Sequence, residues 1–289
     1  MSRGMQLSLK QKIGSINSTM HVTKAMQMIA TARLQQLKKN FKNFYEYEKE
    51  FSLIFERITA GVNDPMDVGD LLWKEPPSKI LIVVITGDMG LCGTYNDDII
   101  LLSYKRADEL GEHFYGFYTI GSKAKTKMKF DGKTMVRSVT EMYSKPSYDE
   151  AQSLSNEFIK FYNENEIDGV EIIHGYSKNS LIHSVKSDQF LPVKINEGTK
   201  NILYDYEPES AELLKTILPQ YFGAKMYRIL LESRISEQNA RQNAMKNATD
   251  NAKKLIDGLN LKYNKARQFY ITQEVIEVLN GAEALRGEK

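Results

Sequence analysis

Residues 245–270, MKNATDNAKKLIDGLNLKYNKARQFY, set Met245, Ala248, Ala252, Ile256, Leu259, Tyr263, Ala266 and Tyr270 at spacings of three and four. That is the seam of a coiled coil, held for more than three heptads. No proline follows Pro219, so the pattern predicts one helix over about 211–286. At 1.5 Å per residue such a helix is on the order of 110 Å long. A chain of 289 residues cannot wrap a helix of that length by itself. It needs a second helix, a partner assembly, or both.

The second helix lies at the other end. Leu9, Ile13, Ile16, Met20, Thr23, Ala30, Leu34, Leu37, Phe41, Phe44, Tyr47, Phe51, Ile54 and Ile58 also step mostly by threes and fours. Between Ser15 and Ala60 there is neither glycine nor proline to interrupt them. Pairing the two ends antiparallel buries both seams, with the intervening residues inserted at one end.

The centre reads differently. Lys79–Thr86, KILIVVIT, is a continuous β-branched run and predicts a buried parallel strand. Further strands are expected at 117–120, 134–139, 169–174 and 190–195, and helices at 96–110, 122–130 and 148–163. In the last helix Leu154, Phe158, Ile159 and Tyr162 share one face. Alternating strands and helices make an α/β sandwich.

Charge follows the same division. Residues 1–60 carry a net +6 and 211–289 a net +4, while 61–210 carry −8. Two basic helical ends therefore flank an acidic centre, which favours an anionic surface nearby. The positives are interleaved with acids and lack a base-stacking pattern, so no nucleic-acid partner is expected. Cys92 is the single cysteine, which excludes an internal disulfide. The start, MSRGMQLSLKQKIG, has no apolar core of a secretory signal, and no run of 18 apolar residues occurs.

Searches for chemistry end in exclusions. The loop Gly87-Asp88-Met89-Gly90-Leu91-Cys92-Gly93 follows a strand but spaces its glycines by threes and holds no lysine for a phosphate. His21, His113, His174 and His183 never fall at metal-ligand spacing. Asp97-Asp98 reads as a helix start, and Glu207 with Glu209 as a solvated loop. No cofactor, metal or catalytic centre is expected.

Several stretches nevertheless belong to one pattern. They are Val22–Ala30 (VTKAMQMIA), the Gly87–Gly93 loop, Tyr206-Glu207-Pro208, and the run ATDNAKKLIDGLNLKYNKARQFYITQE from Ala248 with Glu277, Gly281-Ala282 and Ala284 after it. In order and across the chain, they resemble the gamma subunits of F-type ATP synthases. The resemblance implies an α/β chain: a long antiparallel coiled coil of the terminal helices (1–60 and 211–289) with an inserted Rossmann-like α/β domain (61–210). It implies a non-catalytic rotor shaft in an ATP synthase or ATPase, within an alternating hexamer of alpha and beta subunits. The lower end would meet an epsilon-type small stalk subunit and a proton-translocating membrane ring, at the cytoplasmic face of a bacterial membrane. Carried over by position, Lys24, Met26, Arg267, Gln268, Thr272, Gln273, Glu274, Ile276 and Leu279 are expected to touch the hexamer. Tyr204, Tyr206 and Glu207 are expected at the stalk and ring. Met89 stands where that family commonly carries a basic residue, and the two-cysteine insert of chloroplast members is absent. A related rotary ATPase with a motility or surface-machine output stays open, as does a homodimeric coiled-coil scaffold.

Overall fold

The computed structural model describes residues 3–60, 78–164, 166–177, 183–193, 207 and 209–287. Its helices and strands run α1 (Arg3–Ala60), β1 (Ile80–Ile85), α2 (Tyr95–Leu110), β2 (Phe114–Ile120), α3 (Ser122–Phe130), β3 (Met135–Val139), α4 (Tyr148–Asn163), β4 (Gly169–Ser177), β5 (His183–Leu191) and α5 (Ser210–Gly287). Contacts divide the chain into two units, Met1–Ile29 with Gln242–Lys289, and Ala30–Arg241. The division falls inside both terminal helices rather than at their ends.

In the first unit α1 and α5 run antiparallel. Gln6 Nε2 donates to the Ala266 carbonyl at 3.3 Å, and the hydroxyls of Thr23 and Thr249 lie 2.8 Å apart. Going forward from 6 to 23 on α1 is going back from 266 to 249 on α5. All eight apolar positions from Met245 to Tyr270 turn inward, with Met245, Ala252 and Ala266 buried and the rest half-buried. Leu9, Ile13, Ile16, Met20 and Thr23 supply the facing seam. A threonine pair and three alanines leave this seam shallow beside a leucine zipper.

The second unit holds a five-stranded sheet in the order β3-β2-β1-β4-β5. β1 is buried at all six positions because it is central, pairing in parallel with β2 on one side and β4 on the other. Its residues alternate between two layers. Ile82 and Val84 pack under α2 and α3 with Ile99 and Met128. Leu81, Val83 and Ile85 face α4 and the α5 residues Leu214, Leu218, Phe222 and Leu230, together with Phe55 and Ile58 of α1. The expected face of α4 is there, opened by a capping box in which Ser147 and Glu150 each satisfy the other's backbone N–H. Gly121, at φ 97°, turns β2 into α3 so close to the Thr86 carbonyl that no side chain fits.

Two expectations are corrected. The last strand is β5 at His183–Leu191, not residues 190–195. It lies antiparallel on β4 at the sheet edge, half-exposed, so its sequence HSVKSDQF carries little apolar signal. Phe190 and Leu191 close it, and Pro192, with no N–H to give the ladder, stops it. Residues 194 and 195 lie outside the described ones. On α1, Tyr47 and Ile54 were expected in the seam but are 51% and 46% exposed. The inward positions are Phe44, Glu48, Phe51, Phe55 and Ile58. Glu48 faces inward because Arg228 of α5 meets it at 3.1 Å.

Candidate interaction surfaces

On α5 the expected contact residues form an outward surface. Arg267, Gln268, Thr272, Gln273 and Glu274 are exposed, and the Thr272 hydroxyl donates back to the Gln268 carbonyl at 2.9 Å. Gln268, Thr272, Ile276 and Leu279 step by four, four and three, which puts them on one helix face. Ile276 and Leu279 are 50% and 58% exposed, Val278 reaches 72%, and every residue from Ile271 to Glu283 is exposed. α1 begins at Arg3, just before Gln6 reaches Ala266, while α5 continues to Gly287. The tail beyond Ala266 is about 30 Å of helix, most of it with no α1 residue opposite.

Lys24 is exposed and Met26 half-buried on α1. Lys24 follows Thr23, which touches Thr249, so it lies about 27 Å along the coil from Arg267. The two basic residues do not converge. Exposed Val22, Met28 and Ile29 flank Lys24, an apolar surface that sequence reasoning missed by following only the inward seam. Glu207 is exposed, and Tyr204 and Tyr206 lie outside the described residues.

The crevice of a doubly wound sheet opens beyond the carboxyl ends of the strands, where their order reverses. Here that point adjoins β1, and the loop after β1 is already committed. The Gly87 N–H donates to Asn96 Oδ1 at 2.9 Å. The first amides of α3, on Ser122 and Ala124, donate to Asp88 Oδ1 and Thr86 Oγ1, both at 2.9 Å. A phosphate would find its usual donors taken.

Helix α5 fills the crevice instead. Glu237 is fully buried and ion-paired with both Arg234 and Arg241. Arg241 also donates to the carbonyls of Met89 at 3.3 Å and Gly90 at 3.3 and 3.4 Å. The Tyr95 hydroxyl donates to the Ser233 carbonyl at 2.8 Å, with the hydroxyls of Ser233 and Tyr143 beside it. Burial holds the Tyr95 and Tyr143 hydroxyls well above the usual phenol range, so both stay donors at neutral pH. Burial likewise pushes the Cys92 thiol up, against the lowering pull of Arg241. A buried charge pair of this kind is costly to desolvate and tolerates little displacement. Glu237 and both arginines belong to α5, so what ties this helix to its neighbours is Arg241 on the Met89 and Gly90 carbonyls and Tyr95 on Ser233, and these bonds turn the nucleotide position into a joint. The sequence sign was SRISEQNAR at 233–241, where the helix abandons its apolar seam for polar residues that are all buried.

A second charged group joins α5 to the sheet edge. His174 Nε2 lies 3.0 Å from Asp188, which also pairs with Lys186 at 2.8 Å. Burial raises the Asp188 carboxyl, but those two partners outweigh it and hold it well below the usual range. Lys225 donates to the Gln189 carbonyl at 3.1 Å, and burial lowers its ammonium to about 8. No group of three metal-ligating side chains occurs among the described residues, and none of their helices is long and apolar enough to cross a membrane.

Comparison with known proteins matches this arrangement. The family model described as ATP synthase covers residues 6–285. The chain is 32% identical to the ATP synthase gamma chain of Christiangramia forsetii, over 96% of this chain and 98% of the relative. It is 33% identical to that of Erythrobacter litoralis over the same shares. Among solved structures, a chain of the Euglena gracilis mitochondrial ATP synthase (OSCP/F1/c-ring) superposes with a TM-score of 0.71 at 18% identity, covering 100% of this chain and 97% of its own. A chain of the Tetrahymena thermophila central stalk and c-ring gives 0.60 at 22% identity, covering 78% and 99%. The sheet, the paired terminal helices and this likeness together settle the assignment: the chain belongs to the ATP synthase gamma-chain family, a non-catalytic subunit of that complex.

Proposed function

We propose that the chain is the central-stalk rotor of a rotary ATP synthase, with 1–60 and 211–289 as shaft and 61–210 as inserted domain. The exposed apolar tail of α5 carries this reading. Ile271, Val275, Ile276, Val278 and Leu279 each stand half-exposed or more on one helix end. An unpartnered stripe of that size marks a binding surface. An alternating alpha–beta hexamer supplies the sleeve. The tail seats in it as an apolar bearing, and Lys24, Met26, Arg267, Gln268, Thr272, Gln273 and Glu274 grip it below. Torque requires contacts that differ between the sleeve's states, because a shaft that meets all states equally shifts none. The Arg241 and Tyr95 bonds suit a drive train, since they tie α5 to the loop after β1 and to α2. Tyr204, Tyr206 and Glu207 then face an epsilon-type subunit and a proton-translocating ring at the cytoplasmic face of a bacterial membrane. Relatives named as ATP synthase gamma chains favour ATP synthesis over another rotary output.

The test is a disulfide between Arg267→Cys and a cysteine on the facing hexamer subunit in the reconstituted complex. Complete cross-linking is expected to stop steady ATP hydrolysis, with recovery on reduction. Steady hydrolysis through a complete cross-link removes Arg267 from the rotating contact.

A further inference from the structure

Two contacts fix the register of the antiparallel helices in the first unit: Gln6 meets Ala266, and Thr23 meets Thr249. Eight residues on from Gln6 is Gly14, and eight back from Ala266 is Gly258. Nine residues counted from the two threonines reach the same pair. Two glycines therefore stand at one level of the coil, one inside each helix.

Neither is required by its surroundings. A Cβ built on Gly14 or on Gly258 meets nothing within 4 Å, neither residue has a positive φ, and both are exposed. Alanine would fit at either place and would hold the helix better, since a glycine in a helix interior raises local opening about fivefold. On α1 the weakness spreads. Ser15, Asn17, Ser18 and Thr19 are also poor helix formers. The hydroxyls of Ser18 and Thr19 donate to the carbonyls of Gly14 and Ser15, both at 3.1 Å. Such bonds to the carbonyl four residues back bend a helix, and Gly/Ser pairs are where long helices kink. The seam compensates little, because Ile13, Ile16, Ile256 and Leu259 are only half-buried at this level. We infer that the coil carries a hinge at Gly14 and Gly258, where both helices open and bend together. Buried Ala252 and Ala266 hold the seam on either side of it. The hinge is a property of the coil itself, goes beyond the rotor reading and does not rest on it.

Native-state hydrogen exchange on the full-length chain tests it, with Gly14→Ala, Gly258→Ala and the double variant beside the wild type. Each single substitution is expected to slow exchange about fivefold in its own helix. It is also expected to slow the level across the coil, so that Gly258→Ala protects amides 14–20 and Gly14→Ala protects 256–262. Amides 22–26 and 246–250 keep their rates. Slowing confined to the substituted helix would mean two separate weak points and no hinge. Uniform slowing along the coil, or none, would equally overturn it. The bend is read by electron–electron resonance between spin labels at Lys246→Cys and Lys265→Cys, both exposed and about 28 Å apart along α5. Their distance distribution should narrow in the double alanine variant and stay unchanged in Asn251→Ala, an exposed control on the same helix. An unchanged width in the double variant would show that this level does not bend, and the hinge would fall.

Discussion

Glu237 lies so close to Gly87 that a Cβ added at 87 would stand 2.7 Å from Glu237 Oε1. The loop that in a nucleotide-binding sheet would approach a phosphate here approaches a carboxylate of the chain's own last helix. The first consequence concerns stability. Gly87→Ala should cost about 1–3 kcal/mol through overpacking. Glu237→Ala should cost about 3–5 kcal/mol, since it leaves Arg234 and Arg241 buried without their counter-charge. In the Glu237→Ala background the added cost of Gly87→Ala should fall below about 1 kcal/mol, because the colliding atoms are gone. Urea unfolding of the four proteins of the cycle reads this directly. Additive costs would mean that the glycine is required for another reason.

The same joint shows what the sequence made legible. The eight apolar residues from Met245 to Tyr270 foretold their inward face because the seam there is apolar throughout. KILIVVIT foretold a central strand because burial on both faces leaves no alternation to misread. β5 stayed hidden because an edge strand with one face half-exposed needs no apolar run. Glu48 and the 233–241 stretch stayed hidden because their inward residues are charged or polar, and a periodicity search counts such positions as outward. Their partners, Arg228 and the backbone of Met89 and Gly90, are distant in sequence and become visible only when the chain is folded. The α5 residues expected to contact a hexamer were picked out by family resemblance alone, and the structure shows of them only that they are exposed.

Arg228 bridges two carboxylates, Glu48 at 3.1 Å and Glu232 at 2.7 Å. Although its burial disfavours the cation, these neighbours hold the guanidinium above its usual range. The two sides of the bridge should therefore respond unequally. Glu48→Met leaves Arg228 paired with Glu232 and returns an apolar residue to the seam, so it should cost about 1 kcal/mol or less. Arg228→Met leaves two half-buried carboxylates facing each other and should cost about 2–4 kcal/mol. Thermal unfolding monitored by circular dichroism separates the two, and equal losses would count against the bridge.

Lys225 gives a pH dependence with a defined sign. Burial lowers its folded-state value to about 8 from the ordinary 10.5. Below pH 8 both folded and unfolded chains carry the proton, and the folded one bears the cost of a buried charge. Between about pH 8 and 10.5 the unfolded chain binds more protons, so stability from this group rises with pH. Other buried groups titrate in the same range, and comparison with Lys225→Met cancels them. The wild type should gain on the variant from pH 8 to 10.5 in matched denaturant melts. A difference that stays flat with pH would show that Lys225 titrates like a solvated amine.

The tail of α5 should separate folding from function. Ending the chain after Glu274 removes Val275, Ile276, Val278 and Leu279, all at least half-exposed. Within the chain they bury little, so the unfolding free energy of the shortened protein should stay within about 0.5 kcal/mol of the full chain. If an alpha–beta sleeve encloses the tail, those side chains bury their apolar surface only in the assembly, at about 25 cal/mol per Å² removed from water. Torque from the reconstituted complex should then fall while assembly is partly kept, because the cationic residues at Lys24 and Arg267 remain to engage the sleeve. Paired measurements decide it: denaturant melts of the free chain, and single-molecule rotation under load. A shortened chain that melts early would place the tail in the protein's own packing. One that melts normally and still delivers full torque would strip the bearing role from these residues and leave the grip near Arg267 as the seat of coupling.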